Sequence, residues 1–280
     1  MLDFRADLHC HSTCSDGTFS PEQLVRAAKE MGLSGLSITD HDSISAYDTA
    51  LPLAKEVGLE MIVGVEFSSM HFEESVHILG YAFPLDSQPI IELCARHNER
   101  RQQRNLAILQ KLALNHMPVS EEDVLAELSA SGPQNQHTIG RPHIAQAMIK
   151  KGYVKTVQEA FQQYLGEGKS CFSPGESVST QETIDIIHSA GGVAILAHPH
   201  LMDNRIILKR LLKMNFDGLE GYYGKLQAAQ HKKWVSLGKE KAWLVTGGSD
   251  FHGSIKPNIP LGCSWVNEEV FRRLQSIQRH

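Results

Sequence analysis

Short runs of apolar residues alternate along the chain with stretches where apolar side chains recur every three or four positions. Arg5–His11 predicts a first strand running into a polar loop. Ser20-Pro21 then predicts a helix start, and Pro21–Met31 carries Leu24, Val25, Ala27, Ala28 and Met31 at helical spacing before Gly32 ends it. Leu36–Thr39 predicts a second strand and Ile44–Val57 a second helix, broken or bent near Pro52. Met61–Phe67 and Val76–Phe83 predict strands three and four.

The alternation resumes late in the chain. A helix at Gln181–Ala190 precedes strand five at Val193–Ala197. A helix at Ile206–Met214 precedes strand six at Gly218–Tyr222, and a helix at Leu226–Lys239 precedes strand seven at Trp243–Thr246. These strands are nearly all apolar rather than alternating, which suits strands covered on both faces and a barrel or doubly wound α/β fold. Between the two halves, from Ser87 to Glu167, the pattern is helical: Gln88–Leu114, Ser120–Leu128, Arg141–Lys151 and Val157–Leu165. This stretch reads as an insertion over one end of the barrel, assigned to residues 96–167, with 1–95 and 168–280 forming the barrel.

Polar residues break the apolar strands at their ends. Asp7-Leu8-His9-Cys10-His11 places two imidazoles two residues apart, pointing the same way in extended backbone. Asp16 follows in a turn, His41 follows strand two, Glu66 ends strand three and His77 lies in strand four. His198 follows strand five, and Asp250 and His252 follow strand seven. A His or acid within an apolar strand is costly unless paired or ligated, so nine such residues at six strand ends point to divalent metal. Imidazole and carboxylate donors without an obligatory thiolate suit Mn, Zn or Fe. Cys10 faces away from its two neighbouring histidines, as a small buried residue would.

Composition narrows the partners. The chain of 280 residues is 41% hydrophobic and 21% charged, with a formal charge of -5 that argues against duplex DNA or an anionic membrane as the main partner. A small phosphorylated ligand bound in a local pocket stays open. No stretch approaches the roughly 20 apolar residues that span a bilayer, and the first residues show no secretory leader. Five scattered cysteines argue against a disulfide framework, so a cytoplasmic protein is expected.

Together Asp7-Leu8-His9-Cys10-His11-Ser12, Thr39-Asp40-His41-Asp42, Gly64-Val65-Glu66, Ala197-His198-Pro199 and Gly248-Ser249-Asp250-Phe251-His252 resemble the polymerase and histidinol phosphatase (PHP) family. The resemblance implies a distorted seven-stranded, TIM-like β/α barrel with the helical insertion between strands four and five. It implies up to three metal ions: one on His9, His11, Glu66 and Asp250, a second on Glu66, His77 and His198, a third on Asp16, His41 and His252. Manganese is the expected ion, with zinc or iron as alternatives. Asp250, His198 and Glu66 would then be the catalytic residues.

Within the family, the insertion is similar to that of stand-alone bacterial members. Those remove phosphate from nucleoside 3',5'-bisphosphates, and some trim short RNA from the 5' end. Thr138-Ile139-Gly140-Arg141-Pro142-His143 and Tyr164-Leu165-Gly166-Glu167-Gly168-Lys169 carry that narrower resemblance, which makes Arg141, His143 and Lys169 the expected substrate-phosphate contacts. Arg96, Arg100 and Arg104, with Arg101 beside them, fit a solvated helix face at least as well as a cleft wall that could track RNA. Tyr222 and Tyr223 would pack in the barrel or stack on a base. The alternatives are a histidinol-phosphate or other small-molecule phosphatase, a carbon–nitrogen amidohydrolase, for which no bridging Lys is apparent, and a non-enzymatic metal-binding accessory module.

Overall fold

The computed structural model describes residues 3–129, 139–173, 178–224, 226 and 228–278. Its strands are β1 (Ala6–Cys10), β2 (Gly35–Ile38), β3 (Glu60–Met61), β4 (Gly64–His71), β5 (Glu74–Tyr81), β6 (Val193–Leu196), β7 (Gly218–Tyr223) and β8 (Leu244–Gly248). The expected seven-stranded closed barrel is not what forms. Among the described residues eight strands make two sheets, a parallel one in the order β1-β2-β3 and a mixed one in the order β4-β5-β6-β7-β8.

The physical reason lies in the stretch read as strand three. It divides at Ile62-Val63 into the short β3 and the long β4, and β4 turns back at Phe72-Glu73 into β5 as an antiparallel hairpin paired from Gly64↔Tyr81 to His71↔Glu74. A two-residue connection permits only antiparallel pairing, and β5 then meets β6 antiparallel as well. A fully apolar run reports burial but not strand direction. The two sheets still meet at both edges through single bridges, His41↔Glu66 on one side and Cys10↔Phe251 on the other.

Helices fall close to the sequence pattern. Helix α1 (Pro21–Glu30) starts at a capping box in which Ser20 and Gln23 satisfy each other's backbone N–H. Helix α2 (Tyr47–Val57) keeps Pro52 inside it. Helices α3 (Gln88–Leu114), α4 (Glu121–Ser129), α5 (Arg141–Lys150) and α6 (Val157–Ala160), the last continuing as a π-helical turn at Phe161–Leu165, fill the middle of the chain. They share a core of their own around Ile108, Leu112, Ile144, Met148 and Leu165. Thr138, part of the motif before Arg141, lies outside the described residues. Helices α7 (Thr180–Ser189), α8 (Arg205–Leu211) and α9 (Ala228–Glu240) lie between the later strands. A final helix, α10 (Glu268–Ile277), was not apparent in the apolar pattern; its Phe271 and Leu274 pack with Ala6 and Leu8 of β1. Among the described residues no helix is long and apolar enough to cross a membrane.

Two buried contacts fix the sheets under the site. Gly248 lies so close to β1 that an added Cβ would fall 2.3 Å from the His9 nitrogen, so glycine is required there. Tyr47 reaches from α2 into the seam between β2 and β4. Its hydroxyl accepts from the Gly64 N–H at 2.7 Å and donates towards the Ile38 carbonyl at 2.7 Å. Tyr47→Phe is expected to destabilise the fold by about 1–3 kcal/mol, because both backbone groups lose their partner in a buried place. Urea denaturation should show a lower midpoint with the same slope.

Candidate metal centre

Five of the nine residues singled out from the sequence converge on the carboxylate of a sixth, Glu66. Glu66 projects from β4, and its Oε2 lies 3.2 Å from His9 Nε2, 3.1 Å from His11 Nε2 and 3.3 Å from His41 Nδ1. Its Oε1 lies 2.9 Å from His77 Nδ1 and 2.9 Å from His198 Nε2. Local structure explains the approach. His9 and His11 leave the end of β1 two residues apart, and both rings reach the same oxygen. Ser68 pairs with His77 across the hairpin, so Glu66 and His77 are diagonal neighbours on one face.

Three groups of donors form, each with its ligand atoms within 4.8 Å of one another: His9, His11, Glu66 and Asp250; His11, Asp16, His41 and His252; and His41, Glu66 and His77. Asp250 Oδ1 lies 3.5 Å from His9 and 3.4 Å from His11, and Asp16 Oδ1 lies 3.3 Å from His252. The first group matches the expected set. The second gains His11, and the third holds His41 where His198 was expected, although His198 touches the same Glu66 oxygen as His77.

The donors fit a divalent cation on two observations. Both ring nitrogens of His11 and Nδ1 of His41 are buried without a hydrogen bond, although carboxylate oxygens stand beside them. Burial alone would raise the carboxyl of Glu66, but His41, His9 and His77 hold it well below its usual range. Asp16 is likewise held low against burial by His252 and His41, and Asp250 by Lys256, His252 and His9. Burial pushes His41 down to about 3 and also lowers His252. Burial would lower His11 too, but the neighbouring carboxylates of Asp250, Glu66 and Asp16 raise it to about 9. The ionised carboxylates draw protons onto His9 and His11, which a bound cation would displace, while His41 and His252 are held neutral as ligation needs. Backbone strain gathers here as well: Asp42, His198 and Asp250 all have positive φ, at 55°, 26° and 57°.

Sequence reasoning passed over several supporting residues. Glu220 is fully buried in β7; its Oε1 takes the His9 Nδ1 at 2.8 Å and its Oε2 takes the His198 N–H at 2.9 Å. That fixes the His9 tautomer with Nε2 turned towards Glu66. An acid in an apolar strand was the same signal that singled out Glu66. Asp40 accepts from the Ser12 N–H at 2.7 Å and from the Ser12 and Ser15 hydroxyls at 2.5 Å each, which shapes the loop carrying Asp16. Tyr223 donates to Asp250 rather than only packing.

A cavity of about 570 Å³ opens beside the cluster, lined by Asp16, His41 and His77 and by Arg100, Arg101, Arg104 and Arg141. Part of the arginine stripe is therefore a cleft wall. Arg96 instead pairs with Glu182 at 2.7 Å, and Arg101 is tied to Asp42 and Ser68. The Arg141 guanidinium sits 5.7 Å over the Phe161 ring and 5.5 Å over the Phe172 ring. The other two expected phosphate contacts are placed differently. His143 Nδ1 accepts the Gly140 N–H at 3.0 Å as a helix cap, and Lys169 is exposed; neither lines the cavity.

A family model described as the PHP domain matches residues 7–176. The chain belongs to the PHP domain family. Its match ends before His198, Asp250 and His252, which the fold returns to the site. Over 93% of its length and 91% of the relative's, this PHP chain is 34% identical to a 5'-3' exoribonuclease of Haemophilus influenzae. It is 28% identical to a phosphoribosyl 1,2-cyclic phosphate 1,2-diphosphodiesterase of Eggerthella lenta, over 88% of the chain and 94% of the relative. It is 26% identical to a 3',5'-nucleoside bisphosphate phosphatase of Chromobacterium violaceum, over 88% of the chain and 86% of the relative. A solved structure described as a metal-dependent phosphoesterase of Bifidobacterium adolescentis superposes with a TM-score of 0.88 at 30% identity, covering 98% of this chain and 96% of that one.

If Glu220 orients His9 for a metal, Glu220→Gln should weaken divalent-ion binding about 10–100-fold. Calorimetric titration of metal-stripped protein with Mn²⁺ measures it, and unchanged affinity would remove Glu220 from the site.

Proposed function

We propose that this PHP-family phosphoesterase removes the 3'-phosphate from nucleoside 3',5'-bisphosphates and trims short RNA from its 5' end. The observation that carries the reading is a cluster of imidazoles and carboxylates around Glu66 with an arginine-lined cavity directly beside it. A nucleotide suits a recess of this size. The resemblance of the insertion to stand-alone bacterial members and the names of the relatives support the same substrate class.

His9, His11, Glu66 and Asp250 would hold one ion, Glu66, His77 and His198 a second, and Asp16, His41 and His252 a third, with His11 and His41 near enough to be shared. Bound divalent ions, Mn²⁺ being our choice, would lower the pKa of water from about 15.7 to about 7 and neutralise phosphoryl oxygens. The chain's own residues do the rest. Glu66 and Asp250, ionised and facing each other across His9 and His11, would orient the attacking water towards phosphorus, with Asp250 taking its proton and passing it to the leaving oxygen. His198, partly exposed at the edge of the cluster, meets the same Glu66 oxygen as His77. Arg141 places a cation on the cavity wall for the phosphate that is not cleaved, since a guanidinium grips phosphate through two parallel hydrogen bonds.

Phosphate release should be measured with Mn²⁺ from 3'-phosphoadenosine 5'-phosphate, histidinol phosphate and a 5'-phosphorylated oligoribonucleotide. Turnover of the first and third well above the second supports the reading, and a preference for histidinol phosphate overturns it. Asp250→Asn is expected to bring turnover to background with an unchanged circular dichroism spectrum.

Arg141→Ala separates the substrate anchor from the hydrolytic centre. Losing a charge-assisted hydrogen bond costs about 1.5–3 kcal/mol, so kcat/KM on the bisphosphate should fall roughly 10–100-fold. An aryl phosphate, which has no second phosphate, should lose little. Equal losses on both would refute the anchor.

A further inference from the structure

Strand β7 supplies no donor to the three groups around Glu66, yet two of its side chains touch residues that do. Glu220 steers His9, and Tyr223, three residues on, reaches Asp250. Asp250 divides its two oxygens sharply. Oδ1 faces the imidazoles, at 3.5 Å from His9 Nε2, 3.4 Å from His11 Nε2 and 3.4 Å from His252 Nδ1. Oδ2 takes the Tyr223 hydroxyl at 2.6 Å and the Lys256 ammonium at 2.7 Å.

The two donors come from unrelated parts of the chain. Tyr223 ends β7, buried, with the His200 ring 4.4 Å from its own. Lys256 follows the single turn Gly253–Ile255 after β8, and its side chain is two-thirds covered. Asp250 itself is pinned from behind, its N–H donating to the His9 carbonyl at 2.7 Å. With a positive φ, a fixed N–H and two donors on one oxygen, the carboxylate has little freedom to rotate.

We propose that Tyr223 and Lys256 are positioning residues that occupy Oδ2 of Asp250, so that Oδ1 alone is offered to the metal side of the site. A carboxylate free to turn could give both oxygens to one ion and take up space that substrate needs. The clamp prevents this, and Lys256 also offsets one of the negative charges that Glu66, Asp16, Glu220 and Asp250 bring together. The inference rests on the proposed ligand role of Asp250.

The test uses the full chain loaded with Mn²⁺ and, in parallel, with Co²⁺, whose visible absorption responds to its ligand set. Wild type is compared with Lys256→Met, Lys256→Arg and Tyr223→Phe. The clamp predicts that Lys256→Met takes up the wild-type complement of metal and keeps its KM, while kcat falls about 10–100-fold and the Co²⁺ spectrum changes. Lys256→Arg should recover most of the rate. Tyr223→Phe, which deletes one hydroxyl, should shift the spectrum in the same sense and decides the matter if Lys256→Met does not fold. Wild-type kcat and spectrum in both Lys256→Met and Tyr223→Phe overturn the clamp. So does a loss of rate that only follows a loss of thermal stability. Failure of wild type to take up metal overturns the ligand role of Asp250 and the clamp with it. Normal wild-type uptake with indifferent variants removes the clamp alone.

Discussion

Everything in this molecule is arranged around the burial of one carboxylate. Glu66 is 1% exposed, and a bare charge at that depth would be prohibitive. Five imidazoles make it tolerable, and they come from four different places along the chain: His9 and His11, His41, His77 and His198. The same residue also joins the two sheets, since its N–H donates to the Asp40 carbonyl at 3.3 Å and its carbonyl accepts from the Asp42 N–H at 3.0 Å. Fold and site therefore share a hinge point, and neither can be loosened there without the other.

From that point the division of labour is plain. The ends of β1, β2, β6 and β8 bring in most of the donors, and the β4–β5 hairpin supplies Glu66 and His77 from strand interiors. Strand β7 holds two of the donors in orientation without joining them. Helices α3 and α5 contribute no donor; they place Arg100, Arg101, Arg104 and Arg141 along the recess. The donor cluster and the arginine-lined recess thus come from separate parts of the chain, with Asp42 and its ion pair to Arg101 as the seam between them.

Most of this was legible before any coordinates. Apolar runs and helical spacing located nearly every element, and polar residues in apolar strands located the donors, because burying such groups is too costly to be casual. Three kinds of information were missing. Strand direction was hidden because the runs around Val65 and Ile78 read the same in parallel and antiparallel pairing, so the hairpin between them was taken for part of a closed barrel. Residues acting through other residues were hidden because a Tyr at the end of a strand or a Lys in a loop carries no local mark; only proximity to Asp250 reveals them. The arginines of α3 divided unpredictably, since one helix face points partly at solvent and partly at the recess. Glu220 is a different case: its signal was present, an acid in the middle of Gly218–Tyr223, and was read as strand rather than weighed as chemistry.

The spread of the donors along the chain bears on how the protein is made. His9 and His11 are made first, and Asp250 and His252 complete their groups more than two hundred residues later. Contacts so distant in sequence form slowly, after much of the chain has collapsed. The His-x-His pair is therefore in place well before the residues that complete its pocket. Completion of this donor cluster thus waits on the closure of β8 against β1.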